Sequence, residues 1–142
     1  MTYKVKIGTD IILEDEDGNP IVDTFTYKFN SIQDDSEERD PKVRAEFTIA
    51  GKITDRNCLV LHKLIEWSKL KSDVYRDVEI TVINESINSG KAMRIFNFDR
   101  VFCVDYTEIY TDNDVDNKFE MFMAQSPTGK KRDVKCDYND VD

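Results

Sequence analysis

The residues best placed for chemistry are Cys58 and His62. On a helix they stand at i and i+4, so a thiol and an imidazole can meet on one side. A Cys–His nucleophile pair also needs an orienting group and an oxyanion hole. A metal site there would need two further ligands. The sequence supplies neither, and His62 falls on the wet side of the helix described below. Asp112, Asp114, Asp116 and Glu120 form a second candidate, because clustered carboxylates suit a hard cation. The match to a calcium loop fails twice: Asn117 stands where the tight turn prefers glycine, and Met123 stands where the bidentate glutamate belongs. A hairpin turn rich in Asp and Asn accounts for the run. Lys130, Lys131 and Arg132 make a basic cluster beside Pro127 and Gly129. Three cations neutralise little phosphate in a chain of formal charge −9, with 29 acidic and 20 basic residues. There is no phosphate-cradling glycine loop, no Gly-x-Ser-x-Gly and no His-Glu-x-x-His. The expectation is a chain with no catalytic residue, no metal site and no cofactor.

The elements that would carry these residues read mostly as strands. The exception is Thr54–Lys71, a helix with Val60, Leu61, Leu64, Ile65 and Trp67 inside one arc of roughly 160°. Thr54 or Asp55 is expected to cap its start, and Lys69 and Lys71 suit the negative end. Leu59 and Leu70 fall on the polar side, where they are either ordinary exposed leucines or contacts to a neighbouring subunit. Thr2–Leu13 reads as a strand, followed by a turn at Glu14–Pro20 and a second strand at Ile21–Phe29; the two make a hairpin. Val43–Ile53 alternates most clearly, and Gly51 marks a bend. Val74–Ile83, Met93–Tyr110 with a break near Phe98–Arg100, Phe119–Ala124 and Val134–Tyr138 complete the set, joined by turns at Asn84–Lys91, Thr111–Asn117 and Ser126–Arg132. The fold class is mainly β: an antiparallel barrel or sandwich of seven to eight strands with one amphipathic helix packed on it.

At 142 residues one domain spanning 1–142 is expected, able to bury about two thirds of its unfolded surface without a disulfide or metal. Three widely spaced cysteines argue for a reducing compartment. Met1–Gly8 lacks the apolar run of a signal peptide, and no stretch is long enough for a membrane span. The acidic balance opposes nucleic-acid binding. Acids concentrate in Glu14–Asp17, Asp34–Asp40, Asp112–Asp116 and Asp137–Asp142, which read as turns and tail. Gln33–Lys42 carries no large apolar residue. It is either a mobile loop or one that orders only on a neighbouring subunit.

The order of elements resembles the tube-forming proteins of contractile injection machines: the type VI secretion tube protein (hemolysin-coregulated protein) family and phage tail-tube proteins. The most family-like wording is Leu64–Lys69 followed by Asp73–Ile80, together with Phe98–Glu108. The resemblance implies a β-barrel plugged on one side by the helix and six copies to a ring. The rings stack into a tube with a hydrophilic bore. It implies that the loop after the second strand reaches an adjacent subunit. The interface candidates are then Gln33, Asp34, Asp35, Glu37, Glu38, Arg39 and Asp40, with Leu59 and Leu70. The implied partners are other copies, then sheath, baseplate or spike proteins and cargo effectors. The protein would be cytoplasmic when made and extracellular as part of a particle. The alternatives are a monomeric, non-enzymatic adaptor or cargo-binding module of such a particle, and a small enzyme using His62.

Overall fold

The computed structural model describes residues 1–32, 42–70, 74–84, 92–113 and 115–136. Among them the elements run β1 (Thr2–Ile7), β2 (Ile11–Ile12), β3 (Thr24–Ile32), β4 (Lys42–Lys52), α1 (Cys58–Ser68), β5 (Arg76–Ile83), β6 (Ala92–Ile109), β7 (Lys118–Gln125) and β8 (Arg132–Lys135). The strands form one antiparallel sheet of order β2-β1-β5-β6-β7-β4-β3, with β8 added to β6. Alternation decides the faces. Val5 and Ile7, Ala45, Phe47 and Ile49, Val78, Ile80 and Val82, and Phe119, Met121 and Met123 are all buried in one core. Leu61, Leu64 and Trp67 of α1 join the same core, which is how the helix loses its apolar arc to water. α1 is too short and too polar to cross a membrane.

Of the two closures expected, the sheet takes the sandwich-like one. Its ladder stays open between β2 and β3, and a single bridge, Tyr3 to Val22, spans the gap. The chain switches partners at that point: Asp23 N–H already bonds to Ala50 O on β4, at 2.9 Å. Gly51 is needed here for space, since a Cβ would lie 2.0 Å from Ile21 O and 2.9 Å from the Phe119 ring. It sits within β4 and allows close approach where a bend was expected.

Three other expectations are corrected. Thr2–Leu13 is not one strand. Gly8, at φ +63°, turns the chain so that Lys6 and Ile7 pair with Ile12 and Ile11. The expected hairpin between the first two strands survives only at its turn, where Glu14 bridges Pro20 and Ile21 N–H bonds to Leu13 O at 3.2 Å; beyond that β1 pairs with β5, and β3 pairs with β4 from Thr24↔Ala50 to Ile32↔Lys42. The helix is shorter than Thr54–Lys71, and neither Thr54 nor Asp55 is its cap. Asn57 holds the N-cap position but spends its side chain on the incoming loop, accepting from Thr54 N–H at 3.0 Å and donating to Lys52 O at 2.8 Å. The acidic turn at Glu14–Pro20 forms as expected, with Gly18 at φ +81° and Asp15 Oδ1 accepting from the N–H groups of Asp17 and Asn19. Gln33–Asp40, most of Asn84–Lys91, Lys71, Asp114 and the tail from residue 137 lie outside the described residues.

The expected break near Phe98–Arg100 is a kink in one unbroken strand. Before it, β6 pairs with β5 on one edge and β8 on the other; after it, Val101–Ile109 pairs with β7. Arg100 takes φ +52°, rare for a residue with a Cβ. The inward side switches from Phe96 and Phe98 to Val101 and Cys103. A second irregularity at Val104 turns it again, so that Tyr106 packs on the core. Buried Gln125 holds the kink. Its amide donates to Asp99 Oδ1 at 2.8 Å and Lys131 O at 2.9 Å, and its carbonyl accepts from Ala45 N–H at 3.3 Å. Replacing Gln125 with Leu strips partners from three buried or half-buried groups. A loss of about 2–4 kcal/mol is expected, read from the urea midpoint; an unchanged midpoint contradicts this role.

Candidate functional site

No three His, Cys, Asp or Glu side chains converge as a metal centre among the described residues. Cys58 and His62 both lie exposed on α1, and His62 Nε2 faces Glu66 at 3.6 Å. Cys58, Cys103 and Cys136 are all free thiols; burial, then the Asp105 charge, pushes Cys103 up to about 11. The Thr111–Asn117 turn is tied by its own amides: Asn117 Oδ1 accepts from Thr111 N–H at 2.8 Å, and Asn113 Nδ2 donates to Asp116 at 3.0 Å. Glu120 points to solvent from β7.

What the structure does assemble is unpartnered surface. Phe25, Tyr27 and Phe29 stand in a row on β3, the last strand of the sheet. Phe25 stacks on Tyr27 at 5.7 Å, Tyr27 meets Phe96 edge-on at 4.7 Å, and Phe29 meets Phe98 at 6.2 Å. The row faces the core, yet Tyr27 and Phe29 remain 41% and 43% exposed because nothing described covers them. Val43 across the ribbon is exposed as well. β4 pairs with β7 only from Glu46 onward, and Ala45 N–H is taken by the Gln125 side chain, so residues 42–44 and their β3 partners project as a two-stranded ribbon. Among the described residues no strand pairs with the far edge of β3. An open edge of this length is normally covered or charged. The sequence marked this face as apolar, but its position at the sheet end depends on pairings that alternation does not encode.

The second surface lies at the start of α1. Leu59 is 68% exposed and stands with Ile12, itself 50% exposed, in a groove of about 310 Å³ that Val60 also lines. Arg56 bonds Asp17 at 2.8 Å and Glu16 at 3.1 Å on the rim, fixing the acidic turn to the helix. Leu70, 43% exposed, follows the other end of α1. The two leucines therefore occupy opposite ends of the helix. Below them Trp67 Nε1 donates to Val74 O at 3.3 Å, and Arg76 lies 6.0 Å over the indole while pairing with Asp10.

On the outer face of β4 Glu46 is buried, although the alternation of Ala45, Phe47 and Ile49 against Arg44, Glu46 and Thr48 puts it on the wetted side. Arg44 donates to Oε1 at 2.9 Å, and Lys28 sits 3.6 Å from Oε2. Burial works to raise the carboxyl pKa. Hydrogen bonds from Asn30 and Arg44, with the charges of Arg44 and Lys28, outweigh it, and the net direction is down. A carboxylate whose folded pKa is depressed stabilises the fold above its unfolded pKa, and that contribution is lost as pH falls through the folded value. The wild type should therefore lose thermal stability more steeply than Glu46→Gln between about pH 5 and about pH 3. Parallel curves contradict the ribbon lock.

Comparison with known proteins places this geometry. No family model matches the sequence, and no curated protein matches it. Solved structures do. A structure described as that of a type six secretion system protein superposes with a TM-score of 0.61 at 12% identity, covering 93% of this chain and 80% of that one. Hcp1 from Flavobacterium johnsoniae gives 0.55 at 16% identity, covering 92% and 99%. A chain of the sheath–tube complex of an extracellular contractile injection system, PVC, gives 0.52 at 13% identity, covering 95% and 88%. The chain has the fold shared by these Hcp and contractile-injection-system proteins, the group its sequence resembles.

Proposed function

We propose that the chain is a structural subunit of the inner tube of a contractile injection machine, assembling into hexameric rings that stack. The phage tail, the tailocin and the type VI-like system are the machines that fit. The observation that supports this most is the likeness to Hcp1 and to the PVC chain over nearly the full length of each partner. A cyclic contact joins two different patches of one protein. The uncovered ribbon and the groove beside Leu59 provide two such patches. The proposed contact residues are Gln33, Asp34, Asp35, Glu37, Glu38, Arg39 and Asp40, with Leu59 and Leu70. The role is passive, with no catalytic residue, metal or cofactor assigned. Its partners are other copies, then sheath, baseplate or spike proteins and cargo effectors. It is made in the cytoplasm and leaves as part of an injected or released particle.

The exposed Ile12–Leu59 groove also suits a second reading, a monomeric adaptor that holds another particle protein there. Light scattering separates the two. A ring subunit has a mass of several copies, and deleting Asp34–Asp40 weakens assembly about tenfold, equivalent to ~1.4 kcal/mol, without changing the circular dichroism spectrum. Leu59→Ala then weakens self-association. A strictly monomeric particle at high concentration, with Leu59→Ala affecting only the capture of a partner, supports the adaptor.

A further inference from the structure

The turn that joins β6 to β7 is a rigid projection with apolar side chains on it. Asn117 Oδ1 accepts from Thr111 N–H at 2.8 Å, and Asn113 Oδ1 accepts from Val115 N–H at 3.0 Å. Thr111 Oγ1 donates to Asn113 O at 2.9 Å. On this framework Tyr110 and Val115 are each 65% exposed. The Tyr110 hydroxyl donates to Glu108 Oε1 at 2.5 Å, which holds the ring in place. Asp112 and Asp116 stand exposed beside them. A turn that only had to reverse the chain would gain nothing from two bare apolar side chains; held in place, they suit a contact.

Charge selects the surface that fits this tip. The groove beside Leu59 is rimmed by Asp10, Glu14, Asp15 and Glu16 against Arg56 and Lys63, so it repels an acidic turn. The opposite sign stands at the other end of the β6–β7 ladder. There Tyr75, 37% exposed, meets Phe102 edge-on at 6.1 Å. Phe102 lies between inward Val101 and Cys103 and so points outward. Arg100 lies 4.4 Å over the Tyr75 ring, and its Nε donates to Thr128 Oγ1 at 2.8 Å. Arg100 is exposed, and no carboxylate oxygen of a described residue lies within 4.0 Å of its nitrogens. Of the nearby acids, Asp99 is occupied by Gln125 and Lys131 N–H, and Asp105 is set beyond the Val104 irregularity, opposite Phe122. Arg100 also holds φ +52°, where glycine or asparagine costs less. A strained arginine kept with an open guanidinium points to a use for that side chain.

We infer that the Arg100–Tyr75–Phe102 surface of one copy receives the Tyr110–Val115 tip of another. Arg100 pairs with the tip's carboxylates, and Tyr110 and Val115 cover Tyr75 and Phe102. This rests on the ring-subunit reading and adds to it a contact that neither the ribbon nor the Leu59 groove supplies. From Val101 to Ile109 the ladder runs roughly 27 Å at ~3.4 Å per residue, so a tip does not reach the patch of its own copy. The contact joins two different patches and therefore gives successive copies one direction.

Charge reversal tests it. One chain carries Arg100→Glu; a second carries Asp112→Lys and Asp116→Lys; a third carries all three changes. Near-UV circular dichroism verifies that each is folded. Each of the first two should need about ten times the wild-type concentration to assemble, read by light scattering. The third should recover most of that loss, because every reversed tip then meets a reversed patch. If Arg100→Glu does not fold, Arg100→Gly takes its place, since glycine accepts this φ, and is combined with Asp112→Asn and Asp116→Asn. That combined chain should assemble no worse than the poorer of its parents. Folded single-site chains that assemble like wild type, or a combined chain whose losses add, overturn the contact and leave the ring standing. A wild type that never assembles overturns the ring reading and this contact with it.

Discussion

A single strand must serve two sets of partners, and the fold turns on how β6 does so. Its first half completes the β1–β5–β8 side and its second half carries β7, β4 and β3. A straight strand of 18 residues would keep one face inward throughout. β6 instead changes its inward parity at Asp99–Arg100 and again at Val104, which bends the sheet round a common core. A left-handed arginine costs on the order of 1–3 kcal/mol, and it persists because the surroundings over-determine it. Gln125 fastens the kink to β4 and to the β7–β8 turn, and the Ser126–Gly129 turn takes up the Arg100 carbonyl.

The rest of the architecture follows from that bend. Curling brings β1 and the start of β3 close enough for the Tyr3–Val22 bridge, and α1 covers core that the sheet leaves open. Among the described residues nothing covers the distal half of the β3–β4 ribbon in this way. It is stiffened by Glu46 and its two cations on one side and by the Phe25–Tyr27–Phe29 row on the other. An isolated globule gains nothing from keeping that row and edge open; a subunit that meets a neighbour there does. Leu59 on α1 and Leu70 just beyond its end stay exposed as well.

Much of this was legible in the residues. Alternation carries the inward side chains of β4 and β5, and of the apolar arc Val60, Leu61, Leu64, Ile65 and Trp67, the helix buries Leu61, Leu64 and Trp67 fully and the other two in part. Leu59 is as exposed as its wheel position required, and Leu70 is exposed just past the helix end. What alternation cannot carry is who pairs with whom. β1 and the segment before β3 touch at one bridge, while β1 takes β5 from more than seventy residues away. The Gly8 turn was hidden because Ile7 and Ile11 keep an apolar rhythm across it. Asn57 displaced Thr54 and Asp55 at the helix start because its side chain can serve the loop from β4. Glu46 looked wetted because burial on an outer face comes from its neighbours Lys28 and Arg44, and not from its own period.

In the proposed ring, copies of the chain close one another's open ribbons. Electron microscopy of the concentrated full-length protein tests it most directly. End-on views should show closed six-fold rings, and side views should show those rings stacked into a hollow tube. Fields containing only separate particles the size of one chain, at every concentration tried, would contradict the account.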